Sequence, residues 1–492
     1  MINSLRPLAA GLLATTALAA PALADGQYDG VTVEILTRPG PVIAGRLVER
    51  GEEFTEMTGA EIVVNEVPFA EIFQKLLTDW ATGTNSIDVG VFASGWGVEL
   101  VQGGLVENLD EYIANDADIE FDDIAPYFRE FNQVVDGSTY LVTVDGDFQM
   151  LYYRTDVLEE NGLEPPQTWD DYLAVAEAVH GQDMNGDGEA DYGSCIFKKR
   201  NAQSYFAIGS VAGSFMQTQG TSEGMFFDPE TMDPTMNNAA WAEAFRIYKA
   251  TGQYGPPDEL NHDIGDTRAL VTSGRCALMI DWGDIGPLSI DDGGEAIRDK
   301  VGAVIMPGTR EVWDAETDTL VACDAERCPH ATDGVNYAPF AAFGGWAGAI
   351  SAGSDDIVKQ AAYDFLSYVN QPAQSNVDVT IGWTGYNPYR NSQLDNMEPW
   401  IEAGFSPTFA ENYLGAIKDS LNHPNMVSDM RIPGAQQYTG VILDRELARF
   451  LADEISAEQA LANIEEAWNE ITEDFGREDQ AEIYRLSLGI TN

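Results

Sequence analysis

Acidic and amide side chains recur at a regular spacing between residues 183 and 193. The first, third, fifth, seventh and ninth positions hold Asp183, Asn185, Asp187, Glu189 and Asp191, with glycines at the fourth and sixth. Such spacing is typical of the first part of an EF-hand loop, whose oxygen atoms bind Ca²⁺. Ser194 stands where the bidentate glutamate of a calcium sensor is expected. We therefore predict a structural calcium ion that holds a surface hairpin, with a metal-free Asn-Gly and Asp-Gly turn as the alternative.

Sequence patterns for catalysis are scarce. The chain has four histidines, and none lies in an HExxH zinc motif or beside a serine nucleophile elbow. No Walker-type phosphate loop is present either. A glycosidase with two carboxylates about 5 to 10 Å apart stays open, because a sequence does not display such a distance. These observations favour a binding protein over an enzyme.

The N-terminal segment has the form of a secretory signal peptide. Arg6 is the only charged residue in Met1–Ala24, an apolar run extends from Leu8 to Ala20, and Ala22-Leu23-Ala24 provides a small-x-small cleavage site. No stretch of the chain reaches the roughly 18 apolar residues of a membrane-spanning helix. We therefore expect an exported, soluble chain without membrane insertion. Because no cysteine follows the cleavage site to carry a lipid anchor, we expect a periplasmic location.

Cysteine use agrees with an oxidising compartment, where an even number of cysteines favours disulfides. The cysteines are Cys195, Cys276, Cys323 and Cys328. The last two close a small loop in a polar insertion, whereas the first two lie on predicted strands and could bridge neighbours in one sheet. A zinc site formed by Cys323, Cys328 and His330 is the alternative, although no fourth ligand is evident.

Length and charge limit the class of protein further. Residues 25–492 exceed what one hydrophobic core usually supports, which argues for two lobes. Apolar residues are 44% of the chain, so it has enough apolar surface to fold. Its formal charge is −55, from 26 basic and 81 acidic residues. This charge repels nucleic acid phosphates and anionic lipid surfaces, and the scattered acidic residues are typical of a strongly solvated surface.

Strand and helix patterns alternate near the start of the mature chain. A strand over Val31–Thr37 ends at Arg38-Pro39-Gly40-Pro41, and apolar residues then recur at helical spacing from Val42 to Thr58. A strand over Glu61–Val67 completes a β-α-β unit, and a helix over Phe69–Ala81 follows. Such alternation predicts a parallel sheet whose binding groups gather at the carboxyl ends of its strands.

Short motifs along the chain follow the order of one family. They include Met150-Leu151-Tyr152-Tyr153, Arg154-Thr155-Asp156, Pro165-Pro166-Gln167-Thr168-Trp169, Leu270–Trp282, Val304-Ile305-Met306-Pro307-Gly308, Gly344–Ser351, and the closing helices Gly440–Leu451 and Ala457–Phe475. Each motif is weak alone. Their order resembles family 1 extracellular solute-binding proteins, which deliver sugars to ABC importers, over nearly the whole mature chain.

This resemblance implies an α/β fold of two hinge-linked lobes with parallel-rich sheets, the type II periplasmic binding protein fold of maltose-binding proteins. It implies an N-terminal lobe at residues 25–144 plus about 350–372. The C-terminal lobe is then expected at residues 145–349 plus about 373–492. The insertion at residues 311–337 departs from the shorter family pattern and leaves the ligand size open.

The resemblance also implies which residues meet the ligand. A sugar-binding site needs flat aromatic rings for the apolar C–H face of the sugar and polar side chains for its hydroxyl groups. The candidates are Arg38, Phe69, Trp96, Asp145, Asp147, Gln203, Tyr205, Trp282, Asp284, Gly345, Trp346, Tyr386 and Arg390. The alternatives are core positions for the tryptophans, a solvated turn for Asp145 and Asp147, and a surface ion pair for Arg390.

The function that the resemblance implies is a periplasmic receptor for a sugar, polyol or short oligosaccharide. Such a receptor would act as a monomer, without catalysis, and would deliver its ligand to ABC permease subunits that work with a separate ATPase. The alternative is a secreted, calcium-stabilised polysaccharide-active enzyme or lectin. An adhesive or structural protein is disfavoured, because the chain has neither repeats nor stalk-like linkers.

Overall fold

The computed structural model describes residues 26–291 and 293–490. The predicted signal peptide, at residues 1–24, lies outside the described residues. Among the helices of this described part, none combines the length and the apolar character that a bilayer crossing requires.

The secondary structure alternates strands and helices over most of the described chain. The strands are β1 (Thr32–Thr37), β2 (Glu61–Glu66), β3 (Val89–Ala93), β4 (Val134–Val135), β5 (Ser138–Thr139), β6 (Val142–Thr143), β7 (Met150–Arg154), β8 (Tyr192–Cys195), β9 (Cys276–Asp281), β10 (Val301–Val304), β11 (Glu311–Asp314), β12 (Thr319–Ala322), β13 (Phe340–Ala341), β14 (Trp346–Ile350) and β15 (Val427–Ser428). The helices are α1 (Arg46–Thr58), α2 (Phe69–Ala81), α3 (Gly97–Gln102), α4 (Asp110–Ala114), α5 (Thr155–Asn161), α6 (Trp169–Val179), α7 (Ser204–Met216), α8 (Ala239–Thr251), α9 (Ile264–Thr272), α10 (Ile285–Leu288), α11 (Asp356–Asn370), α12 (Pro372–Asp378), α13 (Asn391–Asp395), α14 (Glu398–Ala403), α15 (Pro407–Leu421), α16 (Asp444–Leu451), α17 (Ala457–Phe475) and α18 (Arg477–Ser487).

The first sheet has the strand order β2-β1-β3-β14-β6. Strand β1 runs parallel to β2 and β3, as the N-terminal β-α-β pattern predicts, whereas β14 runs antiparallel to β3 and β6. Helices α2 and α11 pack against this sheet. Because β14 begins at Trp346, the chain returns to the first sheet a few residues before the lobe boundary expected near residue 350.

The second sheet has the strand order β10-β7-β9-β8. Strand β7 runs antiparallel to β10 and β9, and β8 runs parallel to β9. Each sheet therefore mixes parallel and antiparallel pairs. A disulfide between Cys195 and Cys276 joins the neighbouring strands β8 and β9, which confirms the expected bridge within one sheet.

Crossover segments connect the two sheets at the base of a cleft. Residues 144–149 join β6 to β7, residues 342–345 lead into β14, and residues 371–390 lead from α11 on the first sheet towards α15 beside β10. The backbone N–H of Val144 donates to the Trp346 carbonyl at 2.9 Å, and the N–H of Gly146 donates to the Asn387 carbonyl at 3.2 Å. The crossovers therefore lie side by side, which is the two-lobe arrangement that the motifs predict.

The polar insertion folds as a hairpin, in which β11 pairs with β12 in antiparallel register. A second disulfide links Cys323 to Cys328 at the end of this hairpin. The alternative of a zinc site is therefore wrong at these cysteines, since both sulfur atoms are in a disulfide and neither is available as a thiolate ligand.

Candidate ligand-binding site

A cleft between the lobes contains an inner cavity of about 20 Å³ and an outer cleft of about 480 Å³. The inner cavity is lined by Arg38, Val42, Asp147, Gln203, Ile264, Arg268, Trp282, Asp284, Trp346 and Gly385. The outer cleft shares the residues Arg38, Val42, Gln203, Ile264 and Arg268, and it extends to Phe69, Asp263 and Trp383. An inner cavity of this size has room for about one water molecule, so the two lobes lie close together.

The N-terminal lobe forms one wall from the end of β1 and the start of α2. Arg38 follows β1 directly, where the β-α-β pattern predicts a binding group. Phe69 is the first residue of α2, and its ring centroid lies 5.1 Å from that of Trp96 and 5.9 Å from that of Trp346. This wall therefore presents a guanidinium group beside a half-buried aromatic ring.

The segment Pro41–Gly45 lies across the mouth of the cleft. The backbone of Ile43 has φ 66° and ψ −66°, which a β-branched residue rarely adopts. A Cβ atom on Gly385, across the cleft, would lie only 2.4 Å from a methyl carbon of Val42. The predicted helix from Val42 is therefore wrong over its first turn, and regular helix begins at Arg46. Strained backbone of this kind is typical of ligand clamps.

Two tryptophans line the inner cavity and also belong to the core. Trp282 stacks on Phe197 with ring centroids 5.3 Å apart, and its indole N–H donates to the Ala342 carbonyl at 3.0 Å. The Trp346 ring centroid lies 5.0 Å from that of Phe343. Each tryptophan is only 3% exposed. Packing therefore fixes the orientation of both rings, and a small part of each borders the cavity.

Arg268 on α9 connects two buried carboxylates. Its guanidinium lies 2.6 Å from Asp281, the last residue of β9, and 2.6 Å from Asp284. Burial alone lowers the pKa of Arg268, but the two carboxylates outweigh burial and raise it. Burial raises the pKa of Asp281 to about 6, even though Arg268 acts in the opposite direction. The ion pairs hold Asp284 in place at the cavity wall.

Asp145, Asp147 and Asp284 surround the side chain and backbone of Asn387. The Asn387 N–H donates to Asp145 Oδ1 at 2.5 Å, and Nδ2 of the same residue donates to Asp147 at 3.1 Å and to Asp284 at 3.3 Å. Gly345 lets the neighbouring crossover pack against the backbone of Asp145, because a Cβ there would lie 1.9 Å from the Asp145 carbonyl oxygen. Burial and the nearby Asp284 raise the pKa of Asp145 to about 8. Burial and Asp145 raise the pKa of Asp147 well above its usual range.

Arg38 differs from Arg268 in its contacts. The ion pairs of the described residues include Arg268 but not Arg38. Burial and the neighbouring guanidinium of Arg268 lower the pKa of Arg38, while Asp284, Asp263 and Asp147 act against this effect from a distance. A desolvated guanidinium without a close carboxylate is suited to bind an oxygen atom of a ligand.

Six predicted residues line neither cavity, namely Trp96, Asp145, Tyr205, Gly345, Tyr386 and Arg390. Trp96 packs between Phe69 and Phe73, and Tyr205 packs on Phe206 with ring centroids 4.2 Å apart. Tyr386 is buried next to Asn387, with its hydroxyl group unpaired among the described residues.

Arg390 has a structural position instead of the expected place beside the groove. Its guanidinium is fully buried and donates to the carbonyl oxygens of Ile119 at 2.7 Å and Asn370 at 2.6 Å. It also lies 3.4 Å from Asp123, which is an ion pair inside the protein rather than on its surface. Arg390 therefore ties the chain after Asn387 to the N-terminal lobe.

Several residues at the cleft were not predicted from the sequence, although local sequence features marked the segments that contain two of them. Asn387 lies in the same Tyr386–Arg390 segment that supplied two candidates. Arg268 lies on α9, whose start is marked by an Asp263 capping box with Asp266. Val42, Ile264 and Gly385 have no comparable signal, because nothing local in the sequence brings these three residues together.

The predicted calcium loop forms a tight turn whose oxygens are largely occupied. Both carboxylate oxygens of Asp183 accept backbone N–H groups, from Gly186 at 2.7 Å and Gly188 at 2.9 Å. Asp191 is buried and accepts from Arg275 at 2.8 Å, and Glu189 lies 3.2 Å from Arg275. In residues 26–291 and 293–490, no three His, Cys, Asp or Glu side chains form a metal-binding group.

Two lobes, adjacent crossovers and an aromatic and polar cleft between the lobes define a protein of the type II periplasmic binding class. A family model for bacterial extracellular solute-binding proteins matches residues 49–405. The chain belongs to this family.

Individual relatives agree with the class. The mannitol-binding protein of Pseudomonas aeruginosa is 27% identical over 310 residues, which cover 61% of this chain and 65% of the relative. A solute-binding protein from Agrobacterium radiobacter K84 in complex with ribitol has a TM-score of 0.73 at 19% identity, covering 90% of this chain and 99% of that chain. Maltose-bound MalE3 of T. maritima has a TM-score of 0.69 at 18% identity, covering 90% and 100%. The two solved structures show that the fold is shared.

Proposed function

We propose that this chain is a receptor that binds a sugar, polyol or short oligosaccharide between its lobes and delivers it to an ABC permease. The observation that carries the proposal is the composition of the cleft. Phe69, Trp282 and Trp346 supply aromatic surface, while Arg38, Asp147 and Gln203 supply hydrogen-bonding groups at the same place. The name of one relative specifies mannitol, and one structural neighbour was solved with ribitol.

The chemistry of the cleft suits a polyhydroxylated molecule. Aromatic rings cover the apolar C–H groups of such a ligand at low entropic cost. Guanidinium and amide groups donate to hydroxyl oxygens, and carboxyl and amide oxygens accept hydroxyl protons. The volume of the outer cleft lies within the range of about 300 to 1,000 Å³ that is usual for small-molecule sites. A polyol or a single sugar unit therefore fits the site best.

Both lobes contribute to the cleft, and this shared contact provides the mechanism. Arg38 and Phe69 belong to elements of the first sheet, whereas Gln203, Arg268 and Asp284 belong to elements around the second sheet. A ligand that touches both walls binds the closed form more tightly than the open form. Hinge bending at the crossovers then produces the closed shape that a permease can recognise.

Export and partners complete the proposal. The predicted signal peptide and the extracellular family both support a periplasmic location. The permease subunits and their ATPase are separate polypeptides in this account, and the receptor acts as a monomer. The family and the structural neighbours are binding proteins, which supports ligand capture without turnover. Purified protein incubated with oligosaccharides is therefore expected to leave them intact, as chromatography of the mixture would show.

A thermal-shift screen tests the proposal most simply. A ligand that binds the folded protein raises its melting temperature by mass action, so we expect sugars or polyols, with mannitol and ribitol in the first plate, to raise it. Phe69→Ala should remove most of this shift, because the half-buried ring contributes cleft surface. Phe131→Ala, which changes an exposed ring outside both cavities, is the matched control and should keep the shift. A screen in which no polyhydroxylated compound raises the melting temperature would contradict the proposal.

The calcium prediction stays a prediction beside this function. Asp183, Asn185 and Asp187 stand in one exposed turn, where each already accepts a backbone N–H group. Asp191 and Glu189 are close to Arg275, so a bound ion would have to draw its remaining oxygens from the backbone or from water.

A further inference from the structure

The carboxyl pair of Asp145 and Asp147 is the least expected feature of the cleft. Asp145 is 0% exposed and Asp147 is 6% exposed, and they lie on the crossover that joins β6 to β7. Asn387 donates to both carboxyl groups, to Asp145 Oδ1 through its backbone N–H and to Asp147 through Nδ2, so the two groups lie beside each other. The second oxygen of Asp145, Oδ2, has no donor among the described residues. A hydrogen bond between two carboxyl groups requires a proton on one of them, because an ionised carboxylate only accepts.

In the described part of the chain, the charged side chains near Asp145 and Asp147 do not form ion pairs with these two carboxyl groups. Arg268 forms its ion pairs with Asp281 and Asp284, and no ion pair of the described residues includes Asp145 or Asp147. Asn387 donates to the pair but carries no charge. Arg268 and Arg38 act on Asp147 only from beyond ion-pair distance. Two buried like charges side by side with no cation in contact are costly, and a shared proton removes one of them.

The other titratable groups near the pair belong to several elements. They are Asp281 and Asp284 at the end of β9, Arg268 on α9, Arg38 after β1, Tyr413 on α15 and Tyr386 on the third crossover. The tyrosines have raised pKa values because they are buried, and both arginines stay charged at the pH values of interest. Asp281 and Asp284 are paired with Arg268, so in the described residues Asp145 and Asp147 are the members of this set that are buried carboxyl groups without an ion pair.

We propose that Asp145 and Asp147 share one proton at neutral pH, with the cleft open or closed, and that Asp147 meets the ligand as a neutral carboxylic acid. The part that concerns the ligand rests on the proposed function, whereas the shared proton is a property of the free protein. With the shared proton, Arg38 and Arg268 stand among three negative charges, on Asp281, Asp284 and the carboxyl pair, instead of four. The smaller net charge suits an uncharged polyhydroxylated ligand, even though the whole chain carries a charge of −55.

Lobe closure then couples ligand binding to a proton. Opening the cleft admits water to Asp145 and Asp147 and makes it easier to ionise both carboxyl groups, so the pKa of the shared proton falls. Closing the cleft excludes this water and raises that pKa again. Ligand binding at alkaline pH must therefore take up a proton, which is released again to the solvent on opening. Affinity is unchanged at low pH and falls as pH rises, by about tenfold per pH unit for a single linked proton.

Infrared spectroscopy of the free mature protein tests the shared proton directly. At neutral pH we expect the carbonyl band of a protonated carboxylic acid in the parent protein, and we expect it to weaken in both Asp147→Asn and Asp145→Asn. Asp187→Asn, which changes an exposed carboxyl group in the Asp183–Asp191 loop, is the control and should leave the band unchanged. A parent spectrum with no such band assigned to the pair would overturn the inference, whether or not any ligand binds.

Calorimetric titration with mannitol tests the coupling to the ligand. Between about pH 6 and about pH 10, the dissociation constant of the parent should rise, and titrations in buffers with different heats of ionisation should report proton uptake. In Asp147→Asn the pH dependence should disappear. Asp429→Asn removes a different carboxyl group whose pKa burial raises to about 7, and it should keep the dependence. A parent affinity that is constant over this range would overturn the coupling. Failure of mannitol and every other polyol to bind would instead count against the proposed function.

Discussion

Two groups of acidic residues in this protein have opposite electrostatic environments. Asp145, Asp147 and Asp284 are buried in the cleft around one asparagine, and burial raises the pKa of Asp145 to about 8. Asp183 and Asp187 stand in an exposed turn, where backbone N–H groups stabilise the carboxylates and the N–H of Glu189 helps to lower the pKa of Asp187. Similar side chains therefore hold a proton in one region and a negative charge in the other.

This contrast shows that a count of acidic residues says little about a binding site. The chain is strongly acidic overall, yet two arginines, Arg38 and Arg268, line the inner cavity beside Asp284 and Asp147, and we propose that Asp147 is neutral. Burial and hydrogen-bond partners decide the charge of each carboxyl group, and only the folded structure provides them. The exposed acids mainly keep the surface solvated.

The largest expected effect comes from the arginine that compensates the buried acids. Arg268→Ala leaves Asp281 and Asp284 without their cation, and breaking a buried pair in this way costs about 3 to 5 kcal/mol. Urea unfolding of the parent and the variant would measure the loss. Arg246→Ala is the matched control, since it breaks an exposed helix pair with Glu243 that is worth less than about 1 kcal/mol. Equal losses for the two variants would contradict the account of the cleft.

A second prediction uses the sign of the pH dependence. The pKa of Asp145 is about 8 in the folded protein against a usual value of 3.8, so the folded state binds the extra proton between these values. The stabilisation that Asp145 contributes is fully present below its unfolded pKa of 3.8 and is lost as the pH rises through its folded pKa of about 8. Relative to the parent, Asp145→Asn should therefore gain stability as pH rises. Urea unfolding at several pH values would measure the difference.

The exposed turn should show the opposite sign with a smaller size. Because the pKa of Asp187 is lowered in the folded state, its carboxylate contributes stability that is lost as pH falls through that pKa. Asp187→Asn should therefore be slightly less stable than the parent at neutral pH and equal to it in acid. The contrast between the two regions would be wrong if the stabilities of Asp145→Asn and Asp187→Asn, each measured relative to the parent, changed in the same direction with pH.

Calcium should have the smallest effect of all. If the loop binds the ion, calcium raises the melting temperature and a chelator reverses the rise, by linkage. Asp183→Asn should remove this response, while Asp266→Asn, at the exposed capping box of α9, should not. No response of the parent to either calcium or the chelator would leave the metal-free turn as the correct interpretation.

Local sequence patterns predicted much of the fold. The predicted helix Phe69–Ala81 has the same bounds as α2, and the predicted strands near Val31 and Glu61 correspond to β1 and β2. Periodic burial sets these elements, and periodicity is visible in the sequence. The predicted helix from Val42 failed at Pro41–Gly45, where Val42 and Ile43 have non-helical backbone angles and Val42 lines the cleft. Local rules are expected to fail at functional sites.

The binding site was only partly predictable. Arg38 directly follows β1, where the β-α-β pattern predicts binding groups, and the family resemblance supplied Trp282 and Trp346. Asn387 meets Asp147 and Asp284 only after the chain has folded, because both lie more than a hundred residues away in the sequence. Arg268 meets Asp281 and Asp284 where α9 packs beside the end of β9. Arg390 shows the opposite case, in which a motif position that suggested the groove serves packing instead.

Small-angle X-ray scattering with and without a bound polyol tests the central claim most directly. The claim is that one ligand touches both lobes and stabilises the closed form. We predict that saturating mannitol, or another ligand found by thermal shift, decreases the radius of gyration of the mature protein, and that Arg38→Ala reduces this response. Tight binding without any approach of the two lobes would contradict the account.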